Sequence, residues 1–439
     1  MKKYNIEATD ENILKSIEND VLQRSTDVSD FLSLLDTIDD NVFISVDAAW
    51  GEGKTFFVRQ VEMTMKYYYK KWFNKPIDEK ETQAFQKNNI LNDLDLEHTY
   101  LPVYFNAWLY DNHTNALMAL LMVAIKQSNK YVDTTLSTDN IDKLSTILDS
   151  IQLWKNSNWS NLFEKIKGKN ILENTLLLEE VRKKVYEIFD NIIIEEAQKL
   201  VIFVDELDRC RPTFAVEILE SIKHYFDDDR IIFVMSVNKS QLIHTVSKCY
   251  GDEFDSNLYL NKFFDINIQL TQADARVYFD LLGISCDESE WIKKFANELQ
   301  KYYSLSLRDT TMYFQKITGI YEKHHGRIGT DSWKILILII PVVCVLDIVD
   351  IAKKQDVLSG KGFEILQELI SNSEDMRRYI IRFSNKTVNN EESFNAGMEE
   401  LKKVYEFGFS GSGYLGYYQG NLDIKADLSK ECMRICNTI

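Results

Sequence analysis

The feature that most constrains this chain is an apolar run followed by a glycine-rich loop. Residues 42–46 read Val-Phe-Ile-Ser-Val, which suits a buried strand, and residues 49–55 read Ala-Trp-Gly-Glu-Gly-Lys-Thr. Glycines in such a loop let the backbone direct its N–H groups at phosphate oxygens, because no Cβ stands in the way. The sequence after the loop can open a helix, whose N-terminus attracts anions. A strand, a phosphate-binding loop and a helix are therefore predicted in that order.

The residue types in this loop suit the binding of a nucleoside triphosphate with Mg²⁺. Lys54 supplies a positive charge for the β- and γ-phosphates, and Thr55 supplies a hydroxyl ligand for Mg²⁺. Ala48 stands where the GxxxxGK[ST] pattern usually has its first glycine, so the match is imperfect. The residues expected to surround the nucleotide are Trp50, Gly51, Glu52, Gly53, Lys54, Thr55 and Phe56.

A second apolar run ends in two adjacent carboxylates. Residues 200–204 read Leu-Val-Ile-Phe-Val, which favours a strand buried on both faces of a parallel sheet. Asp205 is predicted to hold Mg²⁺ directly or through water, and Glu206 to act on the attacking water as a general base. Taken alone, this run would also fit a strand that ends in a solvated acidic turn. Both motifs in order favour a P-loop NTPase, an α/β fold with a mostly parallel sheet flanked by helices.

The rest of the chain extends this organisation. Two further apolar runs, at residues 101–105 and 231–237, and an alternating segment at 265–270 predict strands. The pattern after the last of them is helical, and the glycine- and aromatic-rich segment 407–418 is compatible with a flexible linker, a contact segment or a hairpin. The expected organisation is a helical lead-in at 1–40, a P-loop NTPase core at 41–272 with a helical insertion at about 131–199, an all-helical lid or effector domain at 273–405, and a tail at 406–439.

Composition and charge narrow the class of protein. A chain of 439 residues is expected to form two or three domains. The net charge of −17 disfavours nonspecific binding to nucleic acid or to an anionic membrane. The six cysteines include no CxxC pair, so free thiols in a reducing cytoplasm are expected. The first residues are polar and charged, so no signal peptide is predicted.

The most apolar stretch of the chain is Ile335–Leu346. It is shorter than the roughly 20 residues that a membrane span needs, and it contains Pro341. Proline disrupts the hydrogen bonding of a helix interior. We therefore expect a buried helix that is interrupted at Pro341, and no integral membrane span.

Asn238, directly after the strand predicted at 231–237, has two alternative roles. In related ATPases a polar residue at this place contacts the γ-phosphate and the attacking water, whereas Asn is also a preferred helix N-cap. The run that begins at Asn238 also resembles the guanine-reading motif of GTPases, which needs a carboxylate at its fourth position. Gln241 stands there and offers a single acceptor oxygen, so ATP is favoured over GTP.

Three arginines are candidates to stabilise the charge that develops during phosphoryl transfer: Arg209, Arg211 and Arg308. Arg308 stands at the predicted start of a helix in the C-terminal part, where the sensor arginine of a lid would lie. The structural alternative for Arg308 is a surface salt bridge to Asp309 or another neighbour.

Three motifs together resemble the KAP family of P-loop NTPases. They are the loop at 49–55, then Phe105-Asn106-Ala107-Trp108, then Asp205-Glu206-Leu207-Asp208-Arg209-Cys210. The family pattern has a Trp inside the P-loop, a strand that ends in an Asn-Ala-Trp-like element, and Leu-Asp-Arg-Cys after the Walker B carboxylates. The resemblance covers roughly residues 25–325.

This resemblance implies roles for the matching residues and for the whole chain. Lys54, Thr55, Asp205 and Glu206 keep the roles assigned above. Trp50 and Trp108 are expected to pack around the nucleotide loop as structural side chains, because an indole buries a large area. The family tolerates other residues at the first P-loop glycine.

Many members of the family carry transmembrane helices inside the NTPase domain, and this chain is predicted to have none. It is therefore similar to the soluble bacterial branch. Members of that branch are similar to proteins associated with defence against phage or plasmids, so the resemblance implies such a role.

Two classes of function follow from these residues. One is an ATPase whose hydrolysis drives or times a conformational change, and the other is an interaction platform on which ATP promotes oligomerisation while hydrolysis is slow. Glu206 favours the first, because a pure switch needs no carboxylate to activate water. A GTPase-like switch remains an alternative, and the acidic balance disfavours a nucleic-acid motor. The expected partners are a nucleoside triphosphate, a second copy of the chain and a separate effector protein.

Overall fold

The computed structural model divides the chain into two compact units, one within residues 7–274 and one within residues 275–439. The residues that it describes are 7–112, 115–128, 179, 182–183, 185–190, 193, 197–271, 290–324, 331–383, 390–409, 417–419, 422–424 and 427–437.

The N-terminal unit is built on a parallel sheet of five strands in the order β2-β3-β4-β1-β5. The strands are β1 (Phe43–Asp47), β2 (Tyr100–Asn106), β3 (Lys199–Asp205), β4 (Ile231–Val237) and β5 (Ile266–Gln269). All five strands that the sequence predicts are therefore confirmed, and the parallel α/β class with them.

Burial along the strands follows their place in the sheet. Every residue of β3 and β4 is buried, as continuous apolar runs predict for strands covered on both faces. At the edge, β5 pairs only with β1, and its residues alternate between half-buried and exposed. The sheet order thus explains why the apolar pattern weakens towards the end of this unit.

Helices cover both faces of the sheet. In the described part of this unit, the helices with defined bounds are α1 (Asp10–Asn19), α2 (Ser25–Asp36), α3 (Lys54–Trp72), α4 (Glu79–Lys87), α5 (Asn89–Asn92), α6 (Ala116–Ser128), α7 (Pro212–Tyr225), α8 (Lys239–Tyr250) and α9 (Ser256–Asn261). The first five pack with one set of strand side chains, and α6 to α9 contribute to a second core. Pro212 occupies the first position of α7, which suits proline because a helix start needs no N–H there.

This topology brings three strand ends together. Strand β4 lies between β1 and β3, and all three are parallel. In the register, Asp205 at the end of β3 pairs with Ser236, while Asp47 at the end of β1 pairs with Val237. Ligands of parallel α/β sheets bind outside the carboxyl ends of the strands. The predicted loop after β1 and the carboxylates after β3 therefore share one edge.

The described part of the C-terminal unit is mostly helical. Its helices are α10 (Trp291–Tyr302), α11 (Leu307–His324), α12 (Asp331–Val349), α13 (Ile351–Leu358), α14 (Phe363–Ser371), α15 (Glu374–Phe383), α16 (Glu391–Phe409) and α17 (Leu428–Cys436). They share one hydrophobic core, to which α12 contributes nearly every residue from Ile335 to Leu346.

The predicted interruption at Pro341 is wrong, because α12 continues through it. Proline removes one backbone donor from the helix, but the surrounding side chains are buried in the core and hold the helix together. The Tyr313 hydroxyl also donates to the carbonyl of Pro341 at 3.0 Å. In the described part of the chain, α12 alone has the length and composition of a membrane span, and most of it is buried within this unit.

Two expectations concern segments that are described only in part. The predicted insertion at about 131–199 lies outside the described residues, apart from helical positions between 179 and 193 and the start of β3. In the tail, residues 407–409 belong to α16, and β6 (Tyr417–Gln419) pairs in antiparallel fashion with β7 (Leu422–Ile424). The three alternatives for 407–418 stay open, because residues 410–416 lie outside the described part of the chain. The buried helix α17 follows this pair and was not predicted.

Candidate nucleotide-binding site

The glycines of the loop adopt the backbone conformation that the predicted cradle needs. Gly51 has a φ of 88° and Gly53 a φ of 84°, in the left-handed region that disfavours residues with a Cβ. Gly53 caps α3, which begins at Lys54. The free N–H groups of the first turn of α3 therefore lie next to the loop, where they favour an anion.

Lys54 is buried at the start of α3. Its Nζ donates to the carbonyl oxygens of Ala48 and Ala49, at 2.5 and 3.1 Å. Burial lowers the pKa of Lys54, while the carboxylates of Asp208 and Asp205 oppose that shift. The ammonium group is thus held inside the curve of the loop, close to several negative charges.

Asp205 is held by two hydrogen bonds at the end of β3. The Tyr104 hydroxyl donates to its Oδ2 at 2.7 Å, and the Glu206 N–H donates to its Oδ1 at 2.9 Å. The guanidinium of Arg59 lies 4.6 Å from the centre of the Tyr104 ring, which keeps this tyrosine in place. These contacts fix the orientation of a buried carboxylate at the predicted metal position.

Glu206 has an unusual backbone and a shifted pKa. Its φ of 62° lies in the left-handed region, which few residues other than glycine adopt. Burial raises its pKa to about 6, and the neighbouring charge of Asp205 adds to the shift. Arg209 opposes it, since its Nε lies 2.5 Å from Glu206 Oε2. A carboxylate with this pKa suits a general base near neutral pH.

Asp208 is a part of the site to which the sequence motifs assigned no role. It is buried, and its Oδ2 accepts a hydrogen bond from Trp50 Nε1 at 2.5 Å. The N–H of Asn238 also donates to it, and burial raises its pKa above the usual value. Asp208 therefore connects the phosphate-binding loop with the ends of β3 and β4. The sequence feature that could have indicated Asp208 as a site residue is its position in the Leu-Asp-Arg-Cys run, two residues after Glu206.

The resemblance implied that Trp50 and Trp108 pack around the nucleotide loop, and in the structure both indoles are partly exposed. Their exposed fractions are 44% and 55%. The Arg209 guanidinium lies 5.9 Å from the centre of the Trp50 ring and 6.0 Å from that of Trp108. The size of the indole did not predict its burial here, because each ring has a polar or charged partner at the rim of the site. The two rings flank the arginine that pairs with Glu206.

Asn238 adopts the helix-capping alternative. It precedes α8, and its side chain accepts from the N–H of Gln241 at 3.2 Å. Beside it, the N–H of Lys239 donates to Asp47 Oδ1 at 2.9 Å, which joins the ends of β4 and β1. Asn238 lies in the site through its N–H bond to Asp208, and its contact with a γ-phosphate stays a prediction.

The candidate arginines have different surroundings. Arg209 lies at the site, whereas Arg211 pairs with Asp111 on the neighbouring loop at 3.1 Å. Arg308 belongs to the C-terminal unit, where it is the second residue of α11, so the predicted helix start is confirmed. The carboxylate of Asp309, the expected salt-bridge partner, accepts from the Ser306 hydroxyl at 2.7 Å.

The remaining predicted residues lie on or beside the loop. Thr55 is half-buried in the first turn of α3, and Phe56 packs against the core of that face of the sheet. Glu52 is half-buried in the loop. The Thr55 hydroxyl and the Asp205 carboxylate are hard oxygen donors, the kind that Mg²⁺ prefers, and the N–H groups at the start of α3 suit phosphate oxygens. The residues present therefore fit a nucleotide with Mg²⁺.

The fold and the site together define a P-loop NTPase. The glycine loop lies between β1 and α3, which begins at Lys54. It shares one edge of the sheet with Asp205, the last residue of β3, and with Glu206, which follows it. The model of the KAP family P-loop domain matches residues 9–388, and the chain belongs to this family. A search of curated proteins finds no match to the chain.

Proposed function

We propose that this protein binds and hydrolyses ATP and couples its nucleotide state to a conformational change or to assembly. The observation that carries the proposal is the environment of Glu206. This carboxylate follows Asp205, its pKa is raised to about 6, and it lies at the same sheet edge as Lys54. A protein that only binds nucleotide has no use for a general base at this position.

Each residue has a defined part in the proposed reaction. Lys54 and the backbone N–H groups of the loop bind the β- and γ-phosphates. Thr55 and Asp205 hold Mg²⁺, which supplies charge neutralisation at the phosphates. Glu206 accepts a proton from the attacking water, and Arg209, Asn238 or Arg308 stabilises the charge that develops at the γ-phosphate.

The choice of ATP over GTP rests on Gln241. Its backbone N–H is capped by Asn238, so residues 238–241 form the first turn of a helix. The side chain at the fourth position is an amide, which has one acceptor oxygen where guanine recognition needs a carboxylate. A GTPase-like switch is therefore the second candidate rather than the first.

A nucleotide-dependent platform with slow hydrolysis is the other alternative. The exposed indoles of Trp50 and Trp108 at the rim of the site favour it, because exposed aromatic side chains are enriched at protein interfaces. A part in bacterial antiphage defence is proposed from the family resemblance. A cytoplasmic location is proposed from the free cysteines, and self-association and a separate effector protein are proposed from the two classes of function.

Removing the charge of Lys54 tests where the nucleotide binds. The Lys54→Ala protein should lose ATP binding and turnover, while Lys248→Ala, an exposed lysine of α8, should retain both. Measured binding and hydrolysis of ATP and GTP, together with the particle mass for each nucleotide, would distinguish the ATPase from the GTPase-like switch and from the platform with slow hydrolysis. Wild-type affinity and turnover in Lys54→Ala would place the site elsewhere.

A further inference from the structure

Three cysteines meet in the core of the C-terminal unit. Cys344 belongs to α12, and Cys432 and Cys436 stand one turn apart on α17. All three are buried. The sulfur atoms of Cys344 and Cys436 are 3.9 Å apart, although 92 positions separate the two residues in the sequence.

Two lysines and an aspartate lie beside these thiols. Lys316 Nζ is 3.0 Å from Asp347 Oδ2, and Lys354 Nζ is 2.5 Å from Asp347 Oδ1. The two ammonium groups also act on Cys436, where each favours a thiolate. Two positive charges with one carboxylate leave a net positive charge beside Cys436, which favours its thiolate.

The three thiols are not equivalent. Hydrogen bonds from Cys344 and then from Cys432 lower the pKa of Cys436 to about 4, against the effect of burial. The same hydrogen bonds, with burial, raise the pKa of Cys344 and of Cys432 well above the usual value. Of the three sulfurs, Cys436 is therefore the one that its neighbours favour as a thiolate.

We propose that Cys436 and Cys344 form a redox site, in which a hydroperoxide converts the two thiols to a disulfide between α17 and α12. The sulfur atoms are already in contact on two different helices. Cys432 is the poorer partner, because a disulfide within one helical turn would distort the helix. The site belongs to the C-terminal unit, and the proposal does not depend on the proposed nucleotide chemistry.

The proposed oxidation takes two steps. The Cys436 thiolate attacks one oxygen of hydrogen peroxide, so that an S–O bond forms, the O–O bond breaks, and hydroxide leaves and is protonated to water. Cys344 then loses its proton and attacks the sulfenic sulfur, so that the S–S bond forms and a second water leaves. Two electrons pass from the two sulfurs to the peroxide, and two waters result.

Other cysteines of the chain provide contrasts. Cys210 is buried in the N-terminal unit, where burial raises its pKa to about 12 and its thiol donates to the Glu206 carbonyl. Cys249 is exposed on α8, so it measures general reactivity towards peroxide. Neither has the cysteine contact and the paired lysines of Cys436.

Treatment of the full-length protein with hydrogen peroxide tests this proposal. After free thiols are blocked, peptide mass spectrometry should find a Cys344–Cys436 link, with the mass of the linked pair lower by about 2 Da. At limiting peroxide, this link should form before Cys249 is oxidised. Oxidation of Cys249 with the pair still reduced, or a link between Cys432 and Cys436, would overturn the proposal.

A variant separates the two steps. In Cys344→Ser, the link should be absent, and a 1,3-diketone probe should capture the sulfenic acid of Cys436. The matched control Cys249→Ser should form the link as the wild type does. Absence of captured Cys436 in a folded Cys344→Ser protein would contradict the assigned order, and the wild-type mapping decides the proposal even if this variant does not fold.

Discussion

Arg209 Nε lies 2.5 Å from Glu206 Oε2, so the carboxylate proposed to activate water is held by the arginine three residues later. The same guanidinium lies about 6 Å from the ring centres of both Trp50 and Trp108. Glu206 is therefore tuned in two directions, since burial and Asp205 raise its pKa while Arg209 lowers it. The balance leaves the pKa of Glu206 at about 6.

This balance predicts the pH dependence of hydrolysis. A general base works in its ionised form, so turnover should rise with pH through about 6 and level off above it. In Arg209→Gln the lowering charge is gone, so the pKa of Glu206 rises and the acidic limb of the pH–rate profile moves to higher pH. Arg209→Lys keeps the charge and should move the limb less. Identical profiles for all three proteins would exclude Arg209 from the tuning of Glu206.

The hydrogen bond from Trp50 to Asp208 predicts a loss of stability. Trp50→Phe leaves a buried carboxylate without one of its donors, which costs about 1–3 kcal/mol in the free energy of unfolding. Weaker ATP binding should accompany it, because the loop loses a contact with the end of β3. Trp72→Phe, at the exposed end of α3, is the control and should change little. Denaturant unfolding measures the stability of both variants. An equal loss of stability in Trp50→Phe and Trp72→Phe would contradict the role assigned to this hydrogen bond.

Tyr104 is predicted to position Asp205 for the metal. Tyr104→Phe removes the donor to Asp205 Oδ2, so the carboxylate loses its fixed orientation and more Mg²⁺ should be needed for half-maximal hydrolysis, by a few-fold. Tyr100→Phe on the same strand removes a hydrogen bond to Asp36 and serves as the matched control. Both variants should lose some stability, but only the first should change the Mg²⁺ titration. A shift of similar size in both would make Tyr104 a structural residue.

Arg308 is predicted to act on turnover more than on binding. If it stabilises charge at the γ-phosphate, Arg308→Ala should lower kcat by 10-fold or more, roughly as removal of such a residue does, while ATP affinity changes little. Arg378→Ala, an exposed arginine in the same unit, is the control. Steady-state kinetics and equilibrium binding together measure the two effects. An equal effect on both quantities would demote Arg308 to a structural role.

The strands and the order of the site residues could be predicted because they are encoded locally. The runs before Gly51 and Asp205 are apolar and β-branched, and each is buried where the pattern indicated. The capping role of Asn238 was foreseen as an alternative for the same reason, since an N-cap depends on the next three residues.

The contacts that tune the site could not be predicted in this way. Trp50 and Asp208 are 158 positions apart, and nothing in the periodicity of either segment indicates that they meet. Burial of the indoles was expected from their size, whereas both rings are partly exposed and lie near Arg209. Pro341 likewise failed to end its helix because tertiary packing outweighed a local preference.

The most direct test of the account is the substitution of Glu206 by glutamine. Glu206→Gln keeps the size of the side chain but cannot accept a proton from water, so ATP binding should stay near the wild-type level while hydrolysis falls by a factor of about 10² or more. Glu253→Gln, an exposed position in the same unit, should leave both unchanged. ATP affinity and single-turnover hydrolysis should be measured on the same preparations. Unchanged hydrolysis in a Glu206→Gln protein that binds ATP would contradict the proposed mechanism.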